Sequence, residues 1–181
     1  MLRTTLDKAY IRRTLRPLYA FEHATPRDML LDPNWAKSVD IYPGMCLMGA
    51  ATASSGISDV VTLLDGTGVP LGLAGQYVAP TYGIDELADA GVNSIGVWIL
   101  EPGAEFEVLA PAFDSGATWT FPTNGTALLV HAYTGASGSA RGKLCPAGAT
   151  GASTKPVAKA VSRPATDRLI ITGLSSSDMY G

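Results

Sequence analysis

From Ile41 onward the apolar residues come in short runs separated by glycine, proline and aspartate, a rhythm that predicts strands and tight turns. Tyr42-Pro43-Gly44 reads as a turn, and residues 45–48 as a short strand. Residues 59–64 and 69–74 read as two strands joined through Asp65-Gly66-Thr67-Gly68. Residues 94–100 form another, ending in Glu101-Pro102-Gly103, where proline followed by glycine suits the centre of a type II turn. The return over residues 105–109 alternates Phe106 and Val108 with Glu105 and Glu107, which predicts an apolar face and an exposed acidic one. Further strands are predicted at residues 117–121, 126–133, 142–145, 156–161 and 168–172, with residues 163–167 as the last hairpin loop. Only residues 84–90 read as a helical turn in this part of the chain.

Residues 1–40 differ in kind. Leu6, Tyr10 and Leu15 can line one side of a short helix that Pro17 ends. Thr25-Pro26 matches a helix cap followed by proline at the first helical position, with Asp28 in the first turn. Asp32-Pro33 repeats that signal ahead of Trp35. The expectation is an all-β body over residues 41–181, a small antiparallel barrel or sandwich of roughly ten short strands. Residues 1–40 are expected to be an arm with short helical turns.

Composition adds one point about the surface. With 46% apolar residues the 181-residue chain can bury a core, yet only 16% are charged. A free monomer usually carries a more charged exterior, so a partner covering much of the surface is the simplest explanation. Cys46 and Cys145 are too few for a disulfide framework and are expected to be buried free thiols. The sequence has no membrane-spanning apolar run and no secretory apolar stretch near its start, which points to synthesis in a cytoplasm and to no membrane partner.

The net charge of −3 conceals segregation. The first twenty residues hold five bases, Arg3, Lys8, Arg12, Arg13 and Arg16, against Asp7 alone. No lysine or arginine occurs between Lys37 and Arg141, where ten acids stand, and from Arg141 onward six bases face Asp167 and Asp178. Either these blocks neutralise one another, within a fold or between copies, or the basic arm docks on an acidic partner. Nucleic acid fits poorly as that partner, because the overall balance is acidic and no recognition motif is present.

Catalytic constellations fail one by one. His23 and His131 are the two histidines, and no nucleophile elbow accompanies either. His131 shares a strand face with Leu129 and Tyr133 and reads as a packed or interface residue. Asp85, Glu86 and Asp89 form the densest acidic group, which reads as a solvated face. Gly66, Gly68 and Gly72 lack dinucleotide-loop spacing, and Gly142-Lys143 lacks that of a phosphate loop. No catalytic, cofactor-binding or metal-ligating residue is nominated, and no small-molecule substrate is implied. Trp98 and Trp119 read as core packing, whereas Trp35 in the arm reads as a contact residue.

The body carries a resemblance. Residues 41–45 (IYPGM), Val60-Val61-Thr62-Leu63 with Asp65-Gly66, and Pro70-Leu71-Gly72-Leu73-Ala74 are similar to the opening of tailed-phage capsid decoration proteins. Residues 155–161, a short loop and residues 169–174 resemble the closing hairpin of those lambda-like small barrels, from which the long arm departs. The resemblance implies a non-enzymatic virion protein on the capsid exterior that binds the major capsid protein and cements the shell. It also implies a homo-oligomer, a trimer above all. Leu6, Tyr10, Arg12, Arg13, Leu15, Arg16 and Trp35 are then the expected contact residues. The alternatives are another virion β domain (tail tube, head–tail connector or base plate) and a carbohydrate-binding module.

Overall fold

A computed structural model describes residues 14–20, 22, 24–32, 39–50, 60–78, 94–123, 128–135, 141–176 and 178. Its strands are β1 (Leu15–Tyr19), β2 (Thr25–Leu31), β3 (Cys46–Gly49), β4 (Val60–Leu63), β5 (Pro70–Ala74) and β6 (Ser94–Ile99). They continue as β7 (Glu105–Leu109), β8 (Leu128–Ala132), β9 (Leu144–Pro146), β10 (Ala158–Ala165) and β11 (Arg168–Thr172). Five of them close into a barrel in the order β2-β4-β3-β5-β6. The other six form an antiparallel sheet in the order β1-β7-β11-β10-β8-β9. The expected all-β barrel architecture is present.

Turn chemistry sets the crossings. Gly103 has φ +92° and the Ala104 N–H donates to Glu101 O at 3.2 Å, so Glu101-Pro102-Gly103 turns the chain out of the barrel and into the sheet. Across that turn Trp98 of β6 and Phe106 of β7 pack with ring centroids 5.4 Å apart, tying barrel to sheet. The Tyr42 turn closes the same way, with Gly44 at φ +97° and the Met45 N–H donating to Tyr42 O at 3.0 Å. One continuous core includes Leu47, Leu63, Leu73 and Ile95 of the barrel together with Phe106, Val108, Leu169 and Ile171 of the sheet.

Four expectations need correction. Thr25-Pro26 does not start a helix. Residues 25–30 pair with β6, and Leu30 and Leu31 pair in parallel with β4, which buries Met29 and Leu31. Pro26 lies outside the short β4 pairing, so its missing N–H leaves no gap in that ladder. Leu15-Arg16-Pro17 likewise extends into β1 rather than ending a helix, because pairing with β7 satisfies its backbone. Most of the described part of the expected arm is therefore strand, one piece in each sheet.

Residues 117–121 form no strand. Asp114 Oδ1 accepts from Gly116 and Ala117 N–H at 3.0 and 3.1 Å, which bends the backbone, and Trp119 Nε1 donates to Asp114 O at 2.9 Å. Residues 163–167 are also not all loop. β10 runs to Ala165, opposite Arg168, and only Thr166 and Asp167 turn. The helical turn expected at residues 84–90 lies outside the described residues.

Candidate functional site

Of the expected contact residues, Leu15 and Arg16 are described, whereas Leu6, Tyr10, Arg12, Arg13 and Trp35 lie outside the described residues, as do His23, Asp85, Glu86 and Asp89. Arg16 pairs directly with Glu107 in the β1–β7 ladder, and its Nη1 lies 3.2 Å from Glu107 Oε2. Arg168 of β11 reaches the other carboxylate oxygen, its Nε donating to Oε1 at 2.8 Å and its Nη2 closing on the same atom. Glu107 is only 3% exposed, although its position in the strand predicts an open acidic face. Two half-exposed arginines cover it. One base from the N-terminal block and one from the C-terminal block thus neutralise an acid of the middle block within the fold.

Leu15 packs against the core, and the buried Thr14 hydroxyl donates to Pro43 O at 2.7 Å. These contacts root the basic N-terminal segment in the body.

The six-stranded sheet has two edges, and they are treated differently. At β9, Leu144 N–H donates to Ala112 O at 3.0 Å and Asp114 N–H to Leu144 O at 2.8 Å, so residues 112–114 cover that edge. At β1 four of five residues are exposed, including Leu18 at 47% and Tyr19 at 70%. Thr14 O accepts from Leu109 N–H at 2.7 Å, and the antiparallel alternation then turns Arg16 toward β7 and Pro17 outward. Pro17 has no N–H to offer an incoming strand, which protects this edge from ladder extension. Contacts at β1 therefore run through side chains. Leu18 and Tyr19 were not singled out by the sequence reasoning, and their signal was an apolar pair inside an otherwise charged segment.

A cleft of about 610 Å³ lies between the barrel and the sheet, lined by Val69, Leu71, Leu100, Leu129, Pro156 and Val157, with His131, Lys155 and Asp178 as its ionisable groups. His131 Nδ1 lies 2.7 Å from Ser153 O. A carbonyl only accepts, so Nδ1 carries the proton and Nε2 is the acceptor of the neutral ring. His131 is thus held by its own body, as expected of a packed or interface residue. Asp178 lies 2.6 Å from Lys159 Nζ and accepts from Ser175 N–H at 2.8 Å. Lys159 and Ser175 hold its carboxyl down, at about 2.

Both thiols are buried and free. Burial raises Cys46 far above the ordinary range, and Cys145 is pushed up to about 12 by burial and then by the charge of Asp114. Trp98 and Trp119 both pack inward, Trp119 edge-on to Phe113 at 5.9 Å. That leaves no tryptophan platform for sugars among the described residues. Nor do the described residues gather three potential metal ligands in one place.

A small β barrel joined to a sheet, a basic N-terminal segment rooted in it and exposed apolar side chains describe a protein built to adhere. The family model described as phage cement protein matches residues 1–179.

This chain belongs to the phage cement protein family.

No curated protein and no solved structure matches it. As a phage cement protein it is a structural, capsid-binding component of the virion, located on the capsid exterior. The resemblance read from the strand order is therefore correct. The cement assignment is consistent with the sparse charge of the chain, since adhesion needs area and fit.

Proposed function

We propose that this cement protein stabilises the shell by bridging neighbouring copies of the major capsid protein, as a homo-oligomer, above all a trimer, and without catalytic activity of its own. The observation that carries the reading is the match to the cement family over residues 1–179, which takes in the basic N-terminal segment as well as the barrel. Arg16 and Leu15 anchor the root of that segment. Ahead of them Leu6, Tyr10, Arg12 and Arg13 supply apolar and cationic contacts toward the shell, and Trp35 adds an aromatic one. Charge steers the approach and apolar burial supplies most of the affinity.

The test compares particles with and without this protein. Undecorated particles should assemble and package DNA, then release it at a lower temperature than decorated ones. Equal heat tolerance would overturn the stabilising role while leaving attachment intact.

A further inference from the structure

Tyr19 is the most exposed of the large apolar side chains described, at 70%, and it stands at the end of the sheet edge that Pro17 closes to ladder pairing. Its surroundings are acidic. Glu105 faces it directly across the β1–β7 pair, and Glu22 is exposed three positions along the chain. This is a knob with carboxylates beside it.

The cleft between barrel and sheet carries Lys155 and His131, and its one acid, Asp178, is paired with Lys159. Its lining mixes polar and apolar surface, with Val69 standing 58% exposed on it. Lys155, exposed, makes no ion pair among the described residues. His131 has committed Nδ1 to Ser153 O, which leaves Nε2 to accept a proton donor, and a tyrosine hydroxyl is one. The cleft's 610 Å³ falls within the range of sites that enclose small molecules or large side chains, with room for Tyr19 and Leu18 together.

We propose that Tyr19 of one copy inserts into the Val69–His131 cleft of the next, with Glu105 beside Lys155. The inference rests on the homo-oligomer reading above and supplies its interface. Knob and hole are separate patches of the same chain, so a single contact takes a different patch from each copy, and such contacts close into rings when the rotation between copies permits, a trimer being the small case. A two-fold contact of β1 against β1 would instead meet Pro17, which breaks the shared ladder. Both halves use side chains that are solvent-exposed in the single chain, so neither is required for its fold.

The experiment measures the mass of the full chain in solution by light scattering behind a sizing column. Wild type should run as a small oligomer of the 18.8 kDa chain, and Tyr19→Ser and Val69→Asp should each run as monomers. An equimolar mixture of those two variants should recover a one-to-one dimer. One partner still offers the hole and the other the knob, but the chain of contacts stops there. Lys155→Glu should weaken association at least several-fold, and adding Glu105→Lys should restore it. Val161→Asp, exposed but outside the cleft, should keep the wild-type mass. If wild type is oligomeric and Tyr19→Ser and Val69→Asp keep its mass, the interface lies elsewhere and this proposal is wrong while the oligomer stands. A monomeric wild type would overturn the oligomer reading and the interface with it.

Discussion

Arg16 stands directly across the β1–β7 pair from Glu107, with its Nη1 3.2 Å from Glu107 Oε2. The pair joins β1, the edge strand that carries the N-terminal segment, to β7 beside it in the sheet. A carboxylate this buried depends on its partners, because without them it would meet neither water nor a donor.

Arg168→Ala should therefore destabilise the protein more than Arg16→Ala. Arg168 makes two contacts with Glu107 and Arg16 makes one. Water reaches both guanidinium groups, which tempers the effect to about 1–2 kcal/mol for Arg168 and about 0.5–1 kcal/mol for Arg16. Urea unfolding midpoints give the comparison. Equal midpoints for Arg168→Ala and wild type would mean that Glu107 finds other donors.

Ala20 links β1 to β2, and so one sheet to the other, with φ +45°. A side chain in that left-handed region costs about 1–2 kcal/mol, and glycine removes the strain at some cost in chain entropy. Ala20→Gly should thus stabilise the fold by up to about 1 kcal/mol, seen as a rise in melting temperature. A fall would show that the neighbouring structure already relieves the strain.

Asp178 contributes to the C-terminal turn through a depressed carboxyl, so the sign of its pH dependence is fixed. Its contribution is complete above its ordinary value near 4 and is lost as pH falls from there through about 2. The protection of the amides around Ser175, taken relative to their intrinsic exchange rates, should fall across that window. Asp178→Asn should show the reduced protection already at neutral pH, and unchanged protection in that variant would remove Asp178 from the role.

Cys46 and Cys145 should resist alkylation in the native protein at pH 8, since the thiolate is the reactive form and burial suppresses it in both. Two thiols should react promptly in denaturant. Fast native labelling of either would place it on a surface that opens in solution.

For the segment before β1, particle binding should weaken as salt rises to about 0.5 M, where screening lengths fall to a few Å. Trp35→Ala, in the separate stretch between β2 and β3, should reduce binding more than Arg12→Ala, because burying a large apolar side chain is worth about 1.5–3 kcal/mol and an exposed ion pair about 0–1. The deletion that tests the segment removes residues 1–13, not 1–40, since β1 and β2 are strands of the two sheets. Full particle occupancy by that truncation would move the docking surface onto the body.

Much of this protein follows from local sequence alone. Glu101-Pro102-Gly103 and Tyr42-Pro43-Gly44 specify their turns through proline and glycine dihedrals, and the runs around residues 45–48, 60–63, 70–74 and 94–99 become the strands they predict. Thr25-Pro26 misleads because the same residues satisfy a helix cap and a strand beginning at an open position. Only pairing with Ser94–Ile99, far along the chain, decides between them. Glu107 misleads for a related reason. Alternation tells which face of a strand a side chain occupies, but not that Arg16 and Arg168, from opposite ends of the sequence, close over that face. The cleft that brings Val69 near His131 is likewise invisible until the barrel and the sheet are packed together. Backbone preferences act over a few residues and so are written in the sequence. Burial and charge pairing act between strands that are distant in sequence, and the tertiary fold alone brings those into contact.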